Sequence, residues 1–400
     1  MGGGERARYD LHGSAWKGRH EGRADVLEGP GYLYRPGHIL LEDDQEYTAD
    51  LVAHLEGQVG AVRHEELHEK VELAGLPIRA FQVPEGHDIP GLVERLRAHE
   101  HGKPVPNVGP NHVYCGAHEI DGGPWGIPEP AKPGEEPARD PDAAPPRVAI
   151  LDTGFDHMVE HLHPALYHRL VAEGDEKPVD ADGHLSREAG HGTFVAGIIM
   201  KLAPELRIRQ VRVLDPAGVG DDVEVAHKLA MADAAVINLS FGGYTHGGRP
   251  PVVLATALAQ LDDSVAVVAA AGNGNSPEPF WPAAFNRVIG VGALDTTGPE
   301  PRRAEFSNYG HWVDIYAPGV RVHSTYLNGS YQEPGKHLAH LEGWARWSGT
   351  SFAAPHVAAL IARLVHGGLT ARQAAHQVMA SAKWHAGIGP VLLPVPEADE

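Results

Sequence analysis

Three short segments of this chain carry residue types that could activate a hydroxyl for attack on a carbonyl. Val148-Ala149-Ile150-Leu151-Asp152-Thr153-Gly154 is an apolar run that ends in a carboxylate. Gly190-His191-Gly192-Thr193-Phe194-Val195-Ala196-Gly197 puts a histidine at the head of a stretch of small residues. Gly349-Thr350-Ser351-Phe352-Ala353-Ala354-Pro355-His356-Val357-Ala358 leads a serine into a further helical stretch. A serine needs a base to lose its proton during attack, and an imidazole near neutral pKa suits that work. The imidazole needs a buried carboxylate to fix its tautomer and stabilise its charged form. A serine at a helix N-terminus gains the positive end of the dipole beside the developing charge. Pro355 is expected in the first turn of that helix, where its missing N–H costs little. A fourth segment, Ala270-Ala271-Gly272-Asn273, ends another apolar run. The Asn273 amide could donate to an oxyanion, with the Ser351 backbone N–H as second donor.

Each feature alone has an ordinary explanation. An Asp ending a strand is usually a turn former, and Asn-Gly after a strand is usually a turn. A Ser at a helix start is usually a cap. With 27 His in the chain, a single one carries little information. What sets this chain apart is the ordered set Asp152, His191, Asn273 and Ser351, each in a context that suits its role.

The elements around these residues alternate. Val148–Leu151, Ile208–Leu214, Val236–Leu239 and Val265–Ala271 read as strands. His191–Met200, Asp222–Met231 and Val252–Leu261 read as helices. Alternation of this kind predicts an α/β fold, a doubly wound and mainly parallel sheet with helices on both faces. Ligand sites in such sheets lie beyond the carboxyl ends of the strands, which is where the four segments fall. Before this region, Ile39–Leu41, Ile78–Val83 and Val108–Tyr114 read as strands. Two helical stripes, at Leu51, Val52, Leu55, Val59 and at Ile89, Leu92, Val93, Leu96, complete a small α+β domain of ferredoxin-like type. The expected organisation is a tail over 1–30, the small domain over 31–117, a Pro/Gly-rich linker over 118–146, the α/β domain over 147–383 and a tail over 384–400.

Composition narrows the partners. The 400 residues carry a formal charge of −20, which disfavours nucleic acid and anionic membranes. A hydrophobic content of 42% excludes disorder over most of the length. The longest apolar run, seven residues from Val265 to Ala271, is far short of the roughly 20 that span a bilayer. Cys115 is the only cysteine, so no internal disulfide can form. The opening MGGGERARYDLHGS has no apolar segment, which sets the expectation of no signal peptide and a cytoplasmic location.

Taken together, DTG, GHGTFVAG, INLSFGG, AAGN and GTSFAAPHVA, in this order between about 147 and 383, make the chain resemble the subtilisin-like serine peptidases. That resemblance implies peptide-bond hydrolysis through an acyl-enzyme by a serine endopeptidase. Ser351 would be the nucleophile, His191 the general base and acid, Asp152 the orienting carboxylate and Asn273 the oxyanion donor. It further implies that Ser240, Phe241 and Gly242, with Gly272, border an extended substrate. The small domain resembles the propeptide of the same peptidases, which implies a cis-acting chaperone and inhibitor. His112 to Ala117 would then lie along the substrate groove, with self-cleavage at Ala117–His118. The partners expected are protein or peptide substrates and the chain's own N-terminal domain.

Two departures matter. The loop that holds a tight calcium site in many relatives is missing after the His191 helix, so no cofactor or metal is carried over. Phe280 stands about where the family often has a Gly at the base of the specificity pocket, and its ring could restrict that pocket to small side chains. Two histidine groups have ordinary readings. His64-Glu65-Glu66-Leu67-His68 fits H-E-x-x-H but has no third ligand in view. His157, His161 and His163 are expected to be solvated. Two other functions compete: a serine-carboxyl peptidase, disfavoured by His191, and a peptide-binding module held latent by its N-terminal domain.

Overall fold

A computed structural model describes residues 24–29, 31–43, 48–98, 107–115, 127–137, 148–173, 179–180, 182–186, 188–215, 217–331 and 338–393. Its largest sheet has ten strands. In spatial order the parallel ones are Leu170–Glu173, Ile208–Arg212, Val148–Asp152, Val236–Leu239, Ala266–Ala270, Val288–Asp295, Ile315–Pro318 and Gly389–Val391. Lys383–His385 and Arg302–Arg303 add antiparallel pieces. Val148–Asp152 comes first in the chain, yet it lies between Ile208–Arg212 and Val236–Leu239. The winding therefore reverses beside it, and Asp152 stands at the crevice this opens.

The strands are apolar on both faces because both are covered. Side chains alternate with period two. Val148, Ile150, Val268 and Ala270 join one core with the helices His191–Leu202 and Thr350–His366. Ala149, Leu151, Val267 and Ala269 join the other with Asp222–Ala230 and Val252–Gln260. The α/β expectation is met. The strand Gly389–Val391 carries the sheet past residue 383, where the sequence suggested a tail. The local pattern does not mark the helices Glu65–Leu73 and Ala371–Ser381, the strands Leu170–Glu173, Val288–Asp295 and Ile315–Pro318, or the hairpin Val322–Tyr331/Ala339–Trp347.

The N-terminal strands form an antiparallel sheet in the order Val108–Cys115, Tyr32–Glu42, Ile78–Gln82, Val62–Arg63. Leu27–Gly29 pairs with Tyr32–Tyr34, so ordered structure begins before residue 31. Ile39, Leu41 and Phe81 pack on Leu51, Leu55, Ile89, Leu92 and Leu96. On the opposite face, Leu40, Ile78 and Ala80 share a core with Val223, Val225 and Val252 of the large sheet's helices. Lys70–Glu224 at 3.1 Å and Arg35–Asp221 at 3.0 Å rim this contact.

The segment read as a linker over 118–146 is built in where it is described. Glu129–Pro130 adds an edge strand to the hairpin, opposite Ala345 and Arg346. An edge suits Pro130, which has no N–H to give a ladder. Glu136 accepts from His163 Nδ1 at 2.7 Å and from the Ala165 N–H at 3.1 Å. His163 is consequently buried, its Nε2 directed to the Tyr326 carbonyl at 3.0 Å, and not solvated as its loop context suggested. His157 and His161 are exposed.

Candidate active site

Asp152 closes its strand at the carboxyl end and is fully buried. Its Oδ1 accepts from the Thr153 N–H at 2.8 Å and from His191 Nδ1 at 2.8 Å. His191 opens its helix, fully buried, after Gly190 at φ 71°. A side chain at Gly192 would lie 2.5 Å from the Gly154 carbonyl oxygen, so only glycine lets the helix start this close to the Asp152 turn. Thr153 Oγ1 then accepts from the Gly192 N–H at 3.1 Å and ties the two segments together. The imidazole is walled by Trp347 and Phe352, at ring-centroid distances of 5.7 and 5.3 Å.

Burial is the largest influence on the His191 pKa and would lower it. The charge and hydrogen bond of Asp152, aided by the charge of Glu188, outweigh it and hold the imidazole above its ordinary value. Nδ1 is committed to Asp152, and Nε2 has no hydrogen-bond partner among the described residues. A ring fixed in this way is a base at Nε2.

Ser351 is the second residue of Thr350–His366. The N–H of that position has no intrahelical acceptor and is free to serve an anion. Asn273 follows the strand Ala266–Ala270, and its Oδ1 accepts from both the N–H and the hydroxyl of Thr350, each at 2.9 Å. A backbone N–H only donates, so the atom facing it is the amide oxygen and the NH2 group points elsewhere. The Thr350 hydroxyl also accepts from the Gly272 N–H at 3.0 Å. The structure thus brings Asp152 directly onto His191, and joins Asn273 to Ser351, and Ser351 to His191, through their immediate neighbours Thr350 and Phe352.

Pro355 is the sixth residue of its helix, beyond the first turn where the sequence reading put it. Its missing N–H leaves the carbonyl of Ser351 without the usual partner. Ser240 supplies one, with Oγ donating to that oxygen at 2.7 Å while accepting from Asn238 Nδ2 at 2.8 Å. The Ser240 side chain therefore holds the helix. Phe241 is buried against Tyr114, with ring centroids 6.3 Å apart. The Phe280 ring packs over Gly242 and Gly272, where added β-carbons would lie 2.3 and 2.9 Å from it. It makes an edge contact with Tyr244 at 5.2 Å.

Asn308 went unread as a site residue. It binds the carbonyl of Ala271 at 2.8 Å and the N–H groups of Gly274 and Ser276 at 2.9 and 3.0 Å, which shapes the loop carrying Asn273. The only signal was its place in Phe306-Ser307-Asn308-Tyr309-Gly310. His64 Nδ1 caps the helix Glu65–Leu73 by accepting from the Leu67 N–H at 3.4 Å, so His64 precedes the helix and does not share a helical face with His68. Cys115 is described as backbone only, and Ala117–His118 lies outside the described residues.

Residues 145–391 match the model of the subtilase family, and the chain belongs to that family. It is 38% identical over 251 residues to a thermophilic serine proteinase of Bacillus sp. (strain AK1), covering 58% of this chain and 55% of that one. It is 36% identical over 238 residues to thermitase of Thermoactinomyces vulgaris, covering 56% and 76%. M-protease of Shouchella clausii (strain KSM-K16) is 35% identical over 253 residues, covering 60% and 58%. The chain thus spans a little over half the length of two of these three relatives. A solved cold adapted subtilisin-like serine proteinase aligns with TM-score 0.49 and 25% identity over 68% of this chain and 97% of its own.

Proposed function

We propose that the chain is a serine endopeptidase in which Ser351, His191 and Asp152 act as a triad and Asn273 as an oxyanion donor. The observation that carries this is the fully buried bond of 2.8 Å between Asp152 and His191, at the carboxyl ends of the sheet. Ser351 Oγ attacks the peptide carbonyl carbon while its proton passes to His191 Nε2. The Asp152 carboxylate stabilises the imidazolium that results. The carbonyl oxygen becomes an anion held by the Asn273 amide and the Ser351 N–H. Collapse breaks the C–N bond as His191 returns its proton to the leaving amine. Water, deprotonated by the same ring, then hydrolyses the acyl ester and frees Ser351.

The N-terminal domain is the proposed cis-acting inhibitor. The support is that Val113–Cys115 forms an antiparallel ladder with Val219–Asp221, while Tyr114 reaches within 3.0 Å of where a Gly243 side chain would begin. An extended segment docked on an edge strand is how a sheet takes up a peptide. Cleavage at Ala117–His118 is part of this proposal. Ser351→Ala should abolish casein hydrolysis and labelling by a fluorophosphonate; a variant that retains either defeats the reading. Mass mapping of N-termini in wild type beside Ser351→Ala should show two fragments for the former and one intact chain for the latter.

A further inference from the structure

Asp222 is fully buried, with its carboxylate facing the strand Val108–Cys115. Its Oδ2 accepts from the His112 N–H at 2.9 Å and from His112 Nδ1 at 2.8 Å. Its Oδ1 accepts from the Tyr114 hydroxyl. The His112 ring orientation is settled by a further contact: Nε2 accepts from the His246 N–H at 3.1 Å, so the ring proton sits on Nδ1 and is donated to Asp222. Burial, and then the charge of Asp222, raise the Tyr114 pKa well above its ordinary value, so the phenol remains a donor. One carboxylate therefore reads two alternate side chains of an extended strand whose backbone is held by the ladder to Val219–Asp221.

We propose that Asp222 is a specificity residue that selects extended peptides carrying a tyrosine opposite Gly220, and that the Tyr114 segment is the resident example of such a peptide. This rests on the peptidase reading above. The ladder is indifferent to sequence, because it uses main-chain groups. Discrimination comes from the carboxylate. A phenylalanine at the same position would bury Asp222 with its Oδ1 unpaired, and an unpaired buried charge costs more than the bond it replaces gains.

The test compares two reporter peptides on the full chain as purified. One has the sequence Asn-His-Val-Tyr-Ser-Gly-Ala before a fluorogenic amide, following residues 111–117 with serine for Cys115. The other has phenylalanine for its tyrosine. Rates are normalised to the serines titrated by a fluorophosphonate. The tyrosine peptide should show a kcat/KM about tenfold or more higher, carried mainly by KM. In Asp222→Asn that ratio should fall to within about twofold. A wild-type ratio near one overturns the proposal without needing any variant. So does a ratio that survives Asp222→Asn, or failure to cleave either peptide while Ser351 is still labelled. Absence of both labelling and cleavage overturns this proposal together with the peptidase reading.

Discussion

Ser240 Oγ donates at 2.7 Å to the carbonyl oxygen of Ser351, standing in for the N–H that Pro355 lacks. A proline in the second turn would ordinarily loosen the helix at the residue proposed to attack. Here the freed carbonyl becomes an anchor, and the end of the strand Val236–Leu239 is tied to the head of the Ser351 helix.

Removing that anchor should be measurable. Ser240→Ala leaves the buried carbonyl of Ser351 and the Asn238 amide each short of a partner, so stability should fall by about 1–3 kcal/mol. Pro355→Ala restores the backbone N–H and should recover part of the loss. Urea unfolding of the two single variants and the double variant checks this as a cycle. Strictly additive effects would mean that the hydroxyl and the proline are unrelated.

The pH profile follows from the raised His191 pKa. Below it the ring is protonated and cannot take the Ser351 proton, so activity must be lost as pH falls through it. The acid limb of kcat/KM should therefore have its midpoint above the ordinary imidazole value of 6.5. Asp152→Asn removes the larger of the two charges that raise the pKa and leaves burial, the largest influence, which lowers it, so the limb should move to lower pH. The same variant should cut kcat by about 10⁴-fold. A limb that stays where it was would show that another group sets it.

If Asn273 is the oxyanion donor proposed above, Asn273→Ala should lower kcat by about 10²–10³-fold with little change in KM, the magnitude known for the oxyanion asparagine of subtilisin. Thr350 positions the amide through two bonds to its oxygen. Thr350→Val keeps the N–H bond and removes the hydroxyl, and should cost about tenfold in kcat. Thr350→Ser should restore most of it. Equal rates for Thr350→Val and wild type would deny the hydroxyl any part in aiming Asn273.

Phe280 fills the space between Gly242 and Gly272. Phe280→Ala should widen the pocket and shift cleavage from small toward large apolar residues, at a cost of about 3–5 kcal/mol in stability. A peptide library profiled at low temperature reads the first effect and thermal unfolding the second. An unchanged preference after Phe280→Ala would place the ring in the core alone.

What was legible in the sequence was whatever depends on local pattern. The unbroken apolar runs around Val148, Val236 and Ala266 and the helical stretches around His191 and Val252 foretold an α/β sheet covered on both faces, because each face must be apolar to be buried. The ordered motifs singled out Asp152, His191, Asn273 and Ser351. Tertiary structure decided the rest, because it turned on contacts between residues far apart in the chain. Pro/Gly-rich composition made 127–137 read as linker, yet Glu129–Pro130 pairs with Ala345 and Arg346, and Glu136 reaches a buried His163. Ser240 reads as part of a backbone edge for substrate, and only the fold shows that its side chain holds the carbonyl of Ser351, 111 residues away. Asp222 had no motif at all. It became notable only when folding laid His112 and Tyr114 across it, a meeting that no local period can encode.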